Sequence, residues 1–284
     1  MDRKTDLEQI LITTEEKWLK ILYHEIKTEF NKHPLPSHDH THHLRVWYYA
    51  KELLRALWDE GHDIDSTTVE KVIISAFFHD VGMTVTHKPS HGTESRLICE
   101  RFFRQTGGSN LSDTDEILEA VEMHDDKQYA QKMQGINTCT ILAVADDLDA
   151  YGAIGIYRYY EIYLLRKMKK EEIPSGVIGN INNRFSFMER IFGSLHAFTG
   201  KHRTRKQLTM DFYQQFIQKD STIDTPSLTL HMNYLDWLVE RAYQFNNGLD
   251  FLLDSDTDLY AAKKDLHPLV SKLNEELRSF QFDI

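Results

Sequence analysis

Five short stretches of this 284-residue chain concentrate imidazoles and carboxylates. The first is His38-Asp39-His40-Thr41-His42-His43-Leu44-Arg45-Val46, the second the pair His79-Asp80, and the third His91-Gly92-Thr93-Glu94-Ser95. The fourth is His124-Asp125-Asp126-Lys127 and the fifth Ala145-Asp146-Asp147-Leu148-Asp149-Ala150. Nine of the 15 His fall between His33 and His91. A mixed set of His and carboxylates suits borderline or hard divalent ions (Mn, Fe, Zn, Co, Ni, Mg) and not the soft thiolate chemistry of zinc ribbons. Neighbouring residues on a helix point about 100° apart. His79 and Asp80 can therefore converge on one ion only where a helix ends, and Gly82 supplies that end. Asp146 follows Ile141, Leu142 and Val144, and a carboxylate in an apolar helix is costly unless paired or coordinated. Each stretch alone also has a plain reading. His38, His40 and His43 can be exposed loop or helix-face residues, His91 a loop residue, His124 a favourable cation at a helix C-terminus, and Asp146 the partner of an arginine. Their recurrence at the edges of apolar helices, in order, favours one shared site.

The elements that must position these residues are helical. Gly and Pro number 13 and 6, well below average usage of about 7% and 5%, which excludes an all-β fold of many short strands. Trp18, Leu22, Ile26 and Phe30 recur at helical spacing over residues 14–31. Pro34 and Pro36 break the chain, and a new helix is expected near Ser37–Asp39, both suitable N-caps. Further helices are expected at 66–80 (buried on most sides), 93–105, 113–124, 137–169, 181–196, 204–219, 227–247 and 258–280. The fold class is all-α, a single helical bundle. The Ser/Thr/Pro-rich stretch Ser221–Thr229 divides a core from an extension, so that residues 1–35 are read as an N-terminal helical extension, 36–219 as the core and 220–284 as a C-terminal helical extension. The flanking helices, with Trp18 on one side and Trp237 and Leu238 on the other, either cap the core or build a homodimer interface.

The net charge of −11 leaves the chain without the basic surface that nucleic-acid binding rests on, so no nucleic acid is expected as a partner. A phosphorylated substrate would have to be met by local cations or metal. No run approaches about 18 apolar residues, so no membrane span is expected. Two cysteines, Cys99 and Cys139, make no disulfide scaffold, and with no signal-peptide pattern at Met1-Asp-Arg-Lys-Thr a cytoplasmic location is expected. Lys201-His202-Arg203-Thr204-Arg205-Lys206 is the one dense basic stretch, read either as a phosphate-gripping loop or as a solvated turn.

The pattern His42-x-x-Arg45-Val46, His79-Asp80 and Ala145-Asp146-x-Leu148-Asp149-Ala150-x-Gly152 resembles the HD-domain metal-dependent phosphohydrolase superfamily, an all-α family, over roughly residues 36–219. The resemblance implies His42, His79, Asp80 and Asp146 as ligands of a first divalent ion, with Asp80 the catalytic carboxylate. It also implies His91 and His124 as ligands of a second ion in two-metal members, Asp80 bridging the pair. Arg45, Lys88, Lys127 and Arg158 are the candidate substrate-binding cations, and Asp39, Asp125 and Asp149 the candidates to orient the histidines. Gly152–Arg158 looks like a nucleotide-hydrolysing branch. That branch usually carries acidic residues just after its His-Asp pair, where this chain has Val81-Gly82-Met83-Thr84. The departure favours removal of one phosphate, or diester cleavage, over release of pyrophosphate. The implied activity is hydrolysis of a phosphoester bond, by metal-activated water, in a nucleotide or similar small phosphorylated compound. The alternatives are a catalytically weak sensor that keeps the metal and binds a nucleotide, or a structural adaptor.

Overall fold

The computed structural model describes residues 3–106, 113–126, 134–217, 225–245, 249, 252 and 266–280. Among the described residues there is no strand, and the chain is an all-α bundle. The helices are α1 Arg3–Lys32, α2 His40–Asp59, α3 Ser66–Phe78, α4 His91–Thr106, α5 Thr114–Met123 and α6 Thr138–Asp149. They continue as α7 Gly152–Leu165, α8 Ile173–Phe192, α9 His196–Gln214, α10 Thr225–Phe245 and α11 His267–Arg278. A short 3₁₀ turn, Val81–Thr84, follows α3.

Helix α3 is the axis. Val69, Val72, Ile73, Ile74, Ala76, Phe77 and Phe78 are all fully buried, and α1, α2, α5 and α6 pack around it. Burial of each large apolar side chain stabilises by about 1.5–3 kcal/mol, so Phe77 and Phe78 hold the end of the helix, where His79 stands, in one place. Local signals set where the elements begin. Asp39 caps α2 by accepting from the Thr41 and His42 amides at 2.9 and 3.4 Å. Asp65 caps α3 through the Thr68 amide at 2.7 Å, and Asn137 with Thr140 forms a capping box at the start of α6.

Several expected elements shift. The helix expected over 137–169 is two, broken at Ala150–Tyr151, because Gly152 enters α7 at φ +84°, a left-handed conformation that favours glycine. The carboxylate of Glu276, from α11, then caps α7 by accepting from the Ala153 and Ile154 amides at 2.7 and 3.0 Å. The helix expected at 181–196 begins at Ile173, and the one expected at 204–219 is His196–Gln214. Within the Ser221–Thr229 stretch, 221–224 lie outside the described residues and Thr225 already belongs to α10. Trp18 is buried with its indole donating to Glu70 at 2.6 Å, and Leu238 is buried, so both cap the core of their own chain.

Candidate metal centre

The first turn of α2, the end of α3, and α6 meet at one point. His42 Nε2 lies 3.1 Å from His79 Nε2, 3.4 Å from Asp146 Oδ1 and 3.6 Å from Asp80 Oδ2. His79 Nε2 is 3.5 Å from Asp80 Oδ2 and 3.7 Å from Asp146 Oδ1. All four side chains are buried, and their ligand atoms lie within 4.8 Å of one another. A second group adjoins the first: His91 and His124 each bring Nε2 to 3.1 Å from Asp80 Oδ1. Asp80 thus turns one oxygen to each group. Gly82 makes the second group possible, because any Cβ there would stand 2.1 Å from the His91 carbonyl and 2.5 Å from the Ser95 amide.

The outer nitrogens decide which atoms face inward. His79 Nδ1 is 2.9 Å from the Ala76 carbonyl, His91 Nδ1 is 2.9 Å from that of Lys88, and His124 Nδ1 is 2.8 Å from that of Val121. His42 Nδ1 is 2.8 Å from Asp149 Oδ2. A carbonyl or carboxylate oxygen only accepts, so all four Nδ1 atoms carry the proton and donate, which leaves Nε2 free to serve as a ligand. The converging atoms are therefore imidazole lone pairs and carboxylate oxygens, acceptors facing acceptors, an arrangement a cation between them relieves. Asp146 Oδ1 is buried among them and takes no hydrogen bond. These residues fit a divalent ion in either group.

The electrostatics agree. Burial raises Asp80, but the imidazoles around it, His79 first and then His124, His42 and His91, outweigh burial and hold its carboxyl well below the usual range. Asp146 is likewise depressed against burial, by His79 and Arg184. Burial lowers His79. At His124 the Asp80 carboxylate outweighs burial and pushes it up to about 9, so a proton and a divalent ion would compete for its Nε2 lone pair. His91 is raised in the same way.

Around the groups, Asp149 is fully buried and accepts from Arg45 Nε at 2.8 Å and Arg45 Nη2 at 3.0 Å besides His42, with Arg158 Nη1 an ion-pair neighbour 3.1 Å from Oδ2. Arg45, expected on substrate, is instead committed to Asp149, since the α2 register turns it toward α6. Arg158, a candidate substrate-binding cation, stands beside the first group, with Nη2 3.7 Å from Asp146 Oδ1 and 3.2 Å from His42 Nε2. Lys88 is exposed and lines a cleft of about 1050 Å³ beside His91 and His124. Lys127 lies outside the described residues. Asp125 is half-buried on the wall of the same cleft, and Asp39 serves as the α2 cap. His38, His40 and His43, expected at the surface, are buried. Rings from α1 cover two of them, Tyr23 on His40 and Phe30 on His43. The basic stretch 201–206 is neither loop nor turn but part of α9. There Lys201 pairs with Glu52 and Arg203 with Glu189, while Arg205 donates to the Leu148 and Tyr151 carbonyls and to Glu276.

Sequence reasoning missed Arg184, whose Nη1 reaches Asp146 Oδ2 at 3.4 Å and pairs closely with Asp147. It also missed Arg166, which lines both the large cleft and a narrow cavity of about 40 Å³ over the two groups. Glu161 was missed too, although it is an acid in an apolar helix, the signal that picked out Asp146.

Residues 40–151 match the family model described as HD domain. This segment is thus similar to an HD domain. HD domains bind divalent metals and are generally hydrolases. The matched HD segment holds every member of both groups, while Arg158, Arg166 and Arg184 lie beyond it. No curated protein and no solved structure matches the chain.

Proposed function

We propose that the chain hydrolyses a phosphoester bond in a nucleotide or similar small phosphorylated compound, using one or two divalent ions (Mn, Fe, Mg, Co, Ni or Zn). The observation that supports this most is the convergence of four imidazoles, each with Nδ1 already donating, on two buried carboxylates, beside a cleft that Lys88, Arg166 and Lys167 line together with Glu122, Asp125 and Asp126. His42, His79, Asp80 and Asp146 would hold the first ion, and Asp80, His91 and His124 the second. When bound, a divalent ion supplies hydroxide near neutral pH and neutralises phosphoryl charge. The chain's own groups do the remaining work. Asp149 fixes the His42 ring through Nδ1. Arg158 and Arg184 bring positive charge to the narrow cavity, and Arg166 and Lys88 extend it into the large cleft, where an acidic protein needs cations to receive a phosphorylated compound. Val81-Gly82-Met83-Thr84 adds no carboxylate behind Asp80, which supports removal of one phosphate or diester cleavage.

Elemental analysis of the purified chain, followed by a screen of phosphomonoesters, phosphodiesters and nucleoside triphosphates with Mn, Mg, Co and Ni, tests this. Asp80→Ala should lose both metal and turnover. The reading fails if metal-loaded protein hydrolyses no phosphoester and Asp80→Ala retains the wild-type metal content.

A further inference from the structure

Beside the two groups lies a buried hydrogen-bonded relay that neither uses. Ser37 and Glu161 are 0% and 1% exposed. The Ser37 hydroxyl donates to Glu161 Oε2, and Glu161 Oε1 takes the hydroxyl of Tyr243, from α10, at 2.6 Å. With its proton committed to Glu161, Ser37 Oγ can only accept from His38 Nδ1, 2.6 Å away. His38 Nε2 is thereby left bare. It lies 3.9 Å from Asp80 Oδ2, and His38 lines the narrow cavity. The pattern repeats that of the four ligand imidazoles, yet His38 belongs to neither group able to hold an ion. The Ser37 carbonyl also takes Arg158 Nε at 2.9 Å. One dipeptide thus sets both an acceptor and a cation on the cavity wall. The cavity, about 40 Å³, is large enough for one or two waters and too small for a sugar.

Resting on the phosphohydrolase reading above, we propose that His38 Nε2 accepts a hydrogen bond from the reacting water and orients it, with Ser37 and Glu161 as positioning residues that fix its tautomer. Tyr243 closes the relay from the C-terminal region, which gives those helices a part in the site.

The decisive measurement is the tautomer of His38 in wild-type protein, by nitrogen-15 NMR of histidine-labelled chain. Protonated Nδ1 and bare Nε2 are expected. Ser37→Ala and Glu161→Gln should shift the neutral ring toward protonated Nε2, which a merely structural role would not do. His38→Ala should keep the wild-type metal content and KM and lower kcat roughly tenfold, the worth of about one hydrogen bond. Protonated Nε2 in the wild type, loss of metal in His38→Ala, or unchanged kcat in that variant each overturns the proposal. A wild-type chain with neither metal nor turnover would instead defeat the phosphohydrolase reading, and the tautomer would still be read on its own.

Discussion

Asp149→Asn removes one charge and almost no volume from the most heavily used acceptor in the site. Asp149 Oδ2 accepts from His42 Nδ1 and Arg45 Nη2, Oδ1 accepts from Arg45 Nε, and Arg158 Nη1 stands 3.1 Å from Oδ2 as an ion-pair partner without a hydrogen bond. Arg45 and Arg158 hold this carboxyl well below the usual range against burial, so it is ionised at neutral pH. An amide keeps one oxygen and turns its NH₂ toward a donor, and both guanidinium groups lose their counter-charge. Removing one partner of a buried ion pair costs about 3–5 kcal/mol. Against a total of about 5–15 kcal/mol, the variant should fold but unfold at visibly lower denaturant. A lost partner of a ligand imidazole lowers metal affinity by about 10–100-fold. Guanidinium unfolding at constant m value and calorimetric titration with Mn measure the two effects. An unchanged midpoint with metal affinity within about twofold of wild type would refute the account. A lower midpoint with unchanged affinity would show that Asp149 serves the arginines and does not orient His42.

Three further outcomes are expected. Gly82→Ala must displace the start of α4, because its Cβ would meet the His91 carbonyl and the Ser95 amide. Elemental analysis should show metal lost first from the Asp80–His91–His124 group, with about 1–3 kcal/mol of stability; full metal content at wild-type stability would contradict this. His202 is fully buried, and burial, aided by Arg205, outweighs the Glu52 carboxylate and lowers it to about 4. As pH falls from about 6.5 toward 4 the unfolded chain binds the proton first, so stability declines over that window by up to roughly 3 kcal/mol and rises again with pH. His202→Gln should flatten that slope, and an equally steep slope in the variant counts against it. Mn at about 100 times its Kd should stabilise the wild type by about 2.7 kcal/mol per bound ion in a thermal melt and stabilise Asp146→Ala clearly less; equal shifts would remove Asp146 from the metal groups.

Local chemistry made much of this legible. Helical spacing revealed the bundle, and His79 and Asp80 stood out because they close an apolar helix just before a glycine. What stayed hidden depends on distant partners. His40 and His43 look exposed until α1 lays Tyr23 and Phe30 on them. Arg45 looks free until α6 brings Asp149 to it. Residues 137–169 read as one helix because the break at Gly152 is matched to Glu276, far along the chain. Arg184 carries no motif at all; it reaches Asp146 only because the α8 stripe of Ile181, Phe185, Met188 and Phe192 is buried, which sets the helix's rotation.

The Glu276 cap also bears on how the protein is made. The carboxylate that completes the start of α7 arrives 123 residues after the amide of Ala153. During synthesis the HD segment can collapse around α3, but α7, which carries Arg158 and Glu161, keeps open amides until α11 has left the ribosome. Contacts so far apart in sequence form late and slow folding. The nascent chain therefore passes through a period in which the ligand residues are gathered while the helix behind them is still unfastened.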